Sequence, residues 1–145
     1  MTQTKLNYFL TIPAKDVGWP RPKSVRFSRF GSYNSKTVRK WMTKIKDVGV
    51  SEIASKGLTA KESTPVTIVA TAFMPMPKAT AKKRQEGLVG VPHIKKPDVD
   101  NLLKPIVDGL TEAGMWADDN QVWSMKIQKV YCKQGDQRVE VAILW

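Results

Sequence analysis

Two short acidic stretches hold the residues whose types and spacing could do chemistry. In Lys96-Pro97-Asp98-Val99-Asp100-Asn101, two carboxylates stand two residues apart at the predicted start of a helix. In Trp116-Ala117-Asp118-Asp119, two more stand side by side ahead of a strand. If the first segment is locally extended, Asp98 and Asp100 can converge on one point. Carboxylate oxygens suit Mg²⁺ or Mn²⁺, hard ions that take oxygen ligands and retain waters. Each stretch also has a simpler reading. Asp is favoured just before a helix, where it caps backbone N–H groups and meets the positive end of the dipole. An acidic pair in a turn is ordinarily just solvated. Lys104 follows Asp100 by four residues and Asp108 follows Lys104 by four, so the three share one helical face. Lys104 could contact a scissile phosphate there. Alternatively, it joins a surface ion-pair ladder of about 0.3–0.5 kcal/mol per pair. Spacing alone does not choose.

Charge gives these acids a context. The 145 residues carry 24 Lys+Arg against 13 Asp+Glu, a formal charge of +11. Such a field attracts polyanions, and nucleic acid leads because neutralised phosphates release condensed counterions. A membrane surface is the rival partner. No basic amphipathic helix with a Trp/Leu face is present, and no apolar run reaches the length of a spanning helix. Acids are scarce, yet several fall within residues 98–119. A carboxylate pocket inside a basic surface is what phosphodiester cleavage requires. Basic residues bring the DNA, and the acids hold a metal that activates water and offsets charge at the phosphate.

Other chemistries find little support. His93 is the single histidine and reads as a loop residue, so a triad or His-rich metal site would hang on it alone. Cys132 is the single cysteine, which excludes an intrachain disulfide. No Gly-rich phosphate loop appears, and no small-molecule cofactor is expected. Residues 1–10 lack a secretory signal pattern, making the cytoplasm the default location.

The elements that must position the acids follow from periodicity. Leu6, Tyr8, Leu10 and Ile12 alternate with polar residues and predict a strand over 5–12. Residues 13–34 form a long basic and aromatic loop holding Lys23, Arg26 and Arg29. Ser35 is a candidate N-cap for a helix over 36–56, whose apolar face is Val38, Trp41, Met42, Ile45, Val48 and Ile53. Gly49 and Val50 weaken its middle and invite a break, and Gly57 stops it. The β-branched run Val66–Met74 reads as a central strand covered on both faces. A second basic loop, 75–97, holds Lys82, Lys83 and Arg84. Val99, Leu102, Leu103, Ile106, Val107 and Leu110 predict a helix over 99–113, closed by Gly114. Pro105 is tolerable in it only if the helix begins near Asp100 or Asn101; otherwise it kinks the helix. Trp123, Met125, Ile127 and Tyr131 predict a strand over 121–132, and Val139 to Trp145 a last strand, paired with it as a hairpin. The expectation is a single α+β domain over 1–145, ordered β-α-β-α-β-β, with two helices packed on a mixed sheet.

The run Lys96-Pro97-Asp98-Val99-Asp100-Asn101-Leu102-Leu103-Lys104, then Asp108-Gly109-Leu110, then Trp116-Ala117-Asp118-Asp119-Asn120-Gln121-Val122 closely resembles the RusA family of Holliday junction resolvases. That resemblance implies a homodimeric, Mg²⁺-dependent endonuclease that makes paired nicks across a four-way junction. Such proteins are common in phages and prophages, so a bacterial cytoplasm is implied. By position, the family's essential acids fall on Asp98, Asp100 and Asp119, its metal ligands, and its essential lysine on Lys104. Asp118 matches the motif less securely as a ligand. Two features depart from the compact family pattern: the long basic insert 78–95 and Pro105 inside the motif helix. Lys23, Arg26, Arg29, Lys82, Lys83 and Arg84 are candidate contacts to the DNA backbone. The competing functions are a nuclease for other branched or flapped DNA and a non-catalytic nucleic-acid-binding protein.

Overall fold

Residues 4–15 and 36–145 are described by a computed structural model. Alternating buried and exposed side chains form β1 (Leu6–Pro13), with Tyr8, Leu10 and Ile12 facing the core. Helix α1 (Lys36–Lys56) buries a single stripe of Val38, Trp41, Ile45 and Gly49. β2 (Val66–Pro75) follows, then a short helix α2 (Lys82–Leu88) and the motif helix α3 (Val99–Glu112). A 3₁₀ turn (Asp119–Gln121) leads into β3 (Val122–Cys132), and β4 (Arg138–Leu144) completes the set. This is the α+β domain that the periodicities predict, with α2 as an added element.

The sheet order is β1-β4-β2-β3. β4 runs antiparallel to both β1 and β2, and β2 runs parallel to β3. The expected C-terminal hairpin is therefore absent: β3 and β4 lie on opposite sides of β2. Val139, Val141 and Ile143 are fully buried, which favours the inside of the sheet over a free edge. β2 is central as predicted but covered on one face only. Ile68, Ala70, Ala72 and Met74 are buried, whereas Val69 is 40% exposed. Phe9 of β1 is likewise exposed.

α1 and α3 pack against each other as part of that buried layer, with Trp41 and Ile45 meeting the core that Leu102, Ile106 and Leu110 enter. Their axes come close because glycines stand at the crossing. A Cβ built on Gly109 would lie 2.8 Å from Ile45 Cγ2 and 3.1 Å from the Met42 carbonyl oxygen. One built on Gly49 would lie 2.9 Å from Ala113 Cβ. Gly49 thus serves packing, and the helix passes through it without the break that its low propensity suggests. Gly109→Ala is expected to destabilise the fold. The better helix propensity of Ala, worth ~1 kcal/mol, is outweighed by overpacking of about 1–3 kcal/mol against atoms that cannot swing away. A lowered thermal unfolding midpoint would show it; a raised one would mean that the helices can part.

α3 begins at Val99, next to the position that makes Pro105 tolerable, and runs through the buried Pro105 to Glu112. Proline has no N–H, so the Asn101 carbonyl has no donor one turn on. Burial of Leu102, Pro105, Ile106, Gly109 and Leu110 along one stripe holds the helix together. The basic segment 75–97 is also more built than a loop. Beyond α2, residues Gly90 to His93 lie along the outer edge of β3. Tyr131 N donates to the Val91 carbonyl and His93 N to the Lys129 carbonyl, at 3.0 and 2.9 Å.

Candidate active site

Asp98 occupies the N-cap position of α3 with extended backbone angles, yet its side chain accepts no capping hydrogen bond. It pairs instead with Lys96 Nζ at 3.2 Å. The capping reading of Asp98 thus fails at the side chain, and its carboxylate points at a cation. Lys129 braces the approach to it: Nζ donates to the carbonyls of Lys95 at 2.5 Å and Pro97 at 2.7 Å. An ammonium group reaching across from β3 therefore ties down the backbone just ahead of Asp98. Asp100 lies exposed in the first turn. Because α3 is continuous, Asp100, Lys104 and Asp108 do share one face, opposite the buried stripe.

The second acidic pair is reached by a tight return. Gly114 adopts φ +85°, and Met115 N donates to the Leu110 carbonyl, closing the helix in the left-handed manner that glycine allows. Met115 and Trp116 are buried, and Trp116 Nε1 donates to Thr111 Oγ1 at 2.7 Å. The chain then turns through Asp118 and Asp119. Asp118 Oδ1 accepts from Asn120 N at 3.0 Å, capping the 3₁₀ turn. This gives Asp118 a structural duty that Asp119 lacks.

Gln121 locks the return in place. Its buried amide makes four hydrogen bonds. Oε1 accepts from Ala117 N at 2.9 Å and Asp118 N at 3.1 Å. Nε2 donates to the carbonyls of Lys61 at 2.9 Å and Thr64 at 3.2 Å. One side chain thus fastens the acidic turn to the loop before β2. The spacing Asp118-x-x-Gln121 is that of a capping box, a signal open to sequence reading but passed over in favour of the acids.

The electrostatics bind Asp119 to its neighbours. A hydrogen bond with Asp118 raises its carboxyl above the usual range, followed by desolvation and by the negative charges of Asp118 and Asp108. Asp118 is shifted the other way, first by the Asn120 N–H and then by Asp119. The 3₁₀ turn packs against α3, and the α3 acid whose charge acts on Asp119 is Asp108, near the helix's C-terminal end. Sequence reading placed Asp108 on the shared face but left it out of the site. Asp100 and Asp108 stand eight residues apart, about 12 Å along the axis at 1.5 Å per residue.

Among the described residues, no three His, Cys, Asp or Glu side chains gather closely enough to hold one metal ion. In kind, however, the donors suit a hard divalent cation. All are carboxylates, and Asp98, Asp100, Asp118 and Asp119 are exposed, open to a cation from solvent. Of the candidate DNA contacts, Lys82, Lys83 and Arg84 are exposed on α2, which buries no residue. Lys23, Arg26 and Arg29 lie outside the described residues. Among the described residues, no helix is long and apolar enough to cross a membrane.

The family model described as "Endodeoxyribonuclease RusA" matches residues 13–144. The uncharacterized protein YqaN of Bacillus subtilis (strain 168) is 36% identical over 83 residues, covering 54% of this chain and 56% of that protein. The crossover junction endodeoxyribonuclease RusA of Escherichia coli (strain K12) is 40% identical over 53 residues, covering 37% of this chain and 43% of that protein. The chain thus matches about half the length of these relatives.

Proposed function

Since this chain belongs to the endodeoxyribonuclease RusA family, we propose that it is a divalent-metal-dependent endonuclease that resolves four-way DNA junctions as a homodimer. The observation that carries the reading is the exposed acidic face of α3 beside the Asp118–Asp119 turn, set in a chain of charge +11. A Holliday junction offers two equivalent strands, and a two-fold dimer would present two equivalent sites to them. The cytoplasm is the compartment where such DNA is met.

Asp98, Asp100 and Asp119 are the residues that would hold Mg²⁺, with Mn²⁺ as an alternative. The ion supplies a water of lowered pKa and positive charge at the reacting phosphate. Lys104, one turn after Asp100, would offset charge on the phosphate or its leaving oxygen. Lys96 and Lys129 act earlier, one pairing with Asp98 and the other bracing the backbone ahead of it. Lys82, Lys83 and Arg84, with Lys23, Arg26 and Arg29, would hold the DNA backbone and set the salt dependence of binding.

The test compares a synthetic four-way junction, a flap and a plain duplex, each with Mg²⁺. Paired symmetric nicks in the junction, with duplex left whole, are expected. Preferential cutting of the flap would move the reading to a flap nuclease. Junction binding without cutting of any substrate would leave only a binding protein.

A further inference from the structure

An open cleft of about 480 Å³ lies between the turn before β2 and the acidic return, lined among others by Glu62, Ser63, Thr64, Asp118, Asn120 and Trp123. Trp123 is its unusual member. The alternation along β3 predicts an inward indole, yet Trp123 is 72% exposed while Trp41 and Trp116 are buried. The reason is a register slip: Val66 pairs with Val122 and Thr67 with Ser124, leaving Trp123 as the extra residue of a bulge. Bulges re-aim side chains, and they recur beside active sites. The opposite wall is equally fixed. Ser63 holds φ 65°, a left-handed conformation uncommon outside glycine, and the nearby Lys61 and Thr64 carbonyls are clasped by Gln121.

We propose that this cleft receives an unstacked nucleobase of the bound DNA, seated on the face of Trp123. The proposal rests on the part of that reading in which the chain binds DNA. The chemistry selects a base over other groups. Glu62 and Asp118 put negative charge on the rim, which repels a phosphate, although the chain as a whole attracts one. Carboxylates, hydroxyls and the Asn120 amide can instead pair with the donors and acceptors of a base edge. An exposed indole offers a flat face, and stacking on it works for any base once it has left the helix. Asp118 lines the cleft and is adjacent to Asp119, so the seated base would lie close to the candidate cleavage centre. A strand at a branch point would be held by one unstacked base there.

The test uses an eight-residue thymidine oligonucleotide bearing one 5-iodouracil, in EDTA and at one fixed salt concentration. Irradiation is expected to cross-link the wild-type chain at Trp123, as located by mass spectrometry. Trp123→Ala should weaken binding about tenfold, whereas Trp123→Phe should keep most of it. Unchanged thermal midpoints would show that both variants fold. Equal affinity of W123A and wild type would overturn the proposal, as would cross-links confined to residues away from 62–65 and 117–123. Cleavage plays no part in this measurement. A protein that binds junctions without cutting them would therefore sink the nuclease reading and leave the cleft untouched.

Discussion

Asp100→Asn is expected to abolish junction cleavage while junction binding survives or tightens. The substitution keeps size and shape and removes one negative charge from an exposed position in the first turn of α3. If Asp100 is a metal ligand, its loss removes several kcal/mol of charge stabilisation at the phosphate. That corresponds to a rate loss on the order of 10³-fold. The same lost charge lies near bound phosphates, so affinity should hold or rise slightly. Single-turnover cleavage with Mg²⁺ and mobility shifts without it measure the two effects separately. If D100N cuts at the wild-type rate, Asp100 is no ligand and the site must be redrawn, with Asp108 the next acid to examine. Asp119→Asn makes a useful companion. Asp118→Asn should be milder, since an amide oxygen can still cap the 3₁₀ turn.

Gln121→Leu is expected to have the largest effect on stability of any single change outside the apolar core. Leucine fills much of the same space but can neither donate nor accept. Four backbone groups, at Lys61, Thr64, Ala117 and Asp118, lose the Gln121 contact at once, and only the Lys61 carbonyl keeps another, from Thr64 N. Each buried group left unpaired costs about 1–3 kcal/mol, and partial access to water reduces the total. A net loss of about 3 kcal/mol would lower the unfolding midpoint by roughly 10 °C. Domains of this kind have only ~5–15 kcal/mol in hand. Gln121→Glu separates hydrogen bonding from packing. It keeps the two acceptor contacts but turns an oxygen toward the Lys61 and Thr64 carbonyls. Calorimetry should find it destabilised too. If Q121L melts with the wild type, the clasp contributes nothing and the acidic turn is held by other means.

Local elements were legible where one residue pattern decided the outcome. Val38, Trp41 and Ile45, with Gly57 beyond, mark α1 from Lys36 to Lys56 without tertiary help. Pairing was not legible, because β4 can satisfy its alternation beside either neighbour. Near neighbours in sequence suggested β3, and burial of both sheet positions beside it favoured β1 and β2. α2 escaped notice because a seven-residue helix that buries nothing leaves no apolar period. At the site, the acids and Lys104 stood out by type and spacing. Lys129 did not, since its partners are backbone carbonyls more than thirty residues away, and Gln121 showed only the capping-box half of its role, because Lys61 and Thr64 are distant in sequence. The outward face of Trp123 was not legible, because a bulge reverses alternation without changing composition. Asp108 joined the site through the contact of the 3₁₀ turn with α3, which spacing along α3 alone does not reveal.

The place of β4 also bears on how the molecule is born. Leu6 pairs with Leu144, and between them stand nearly all the other elements. β1 and β2 are made early, yet neither gains its shared neighbour until residues 138–144 have been synthesised. The acids of α3 and the return loop thus emerge from the ribosome before the strand that completes the sheet beneath them. Pairings this distant form slowly, because the chain must close long loops first. A growing chain would therefore carry its acids with an unfinished sheet. The acidic surface should gain its native support only once β4 has joined the sheet.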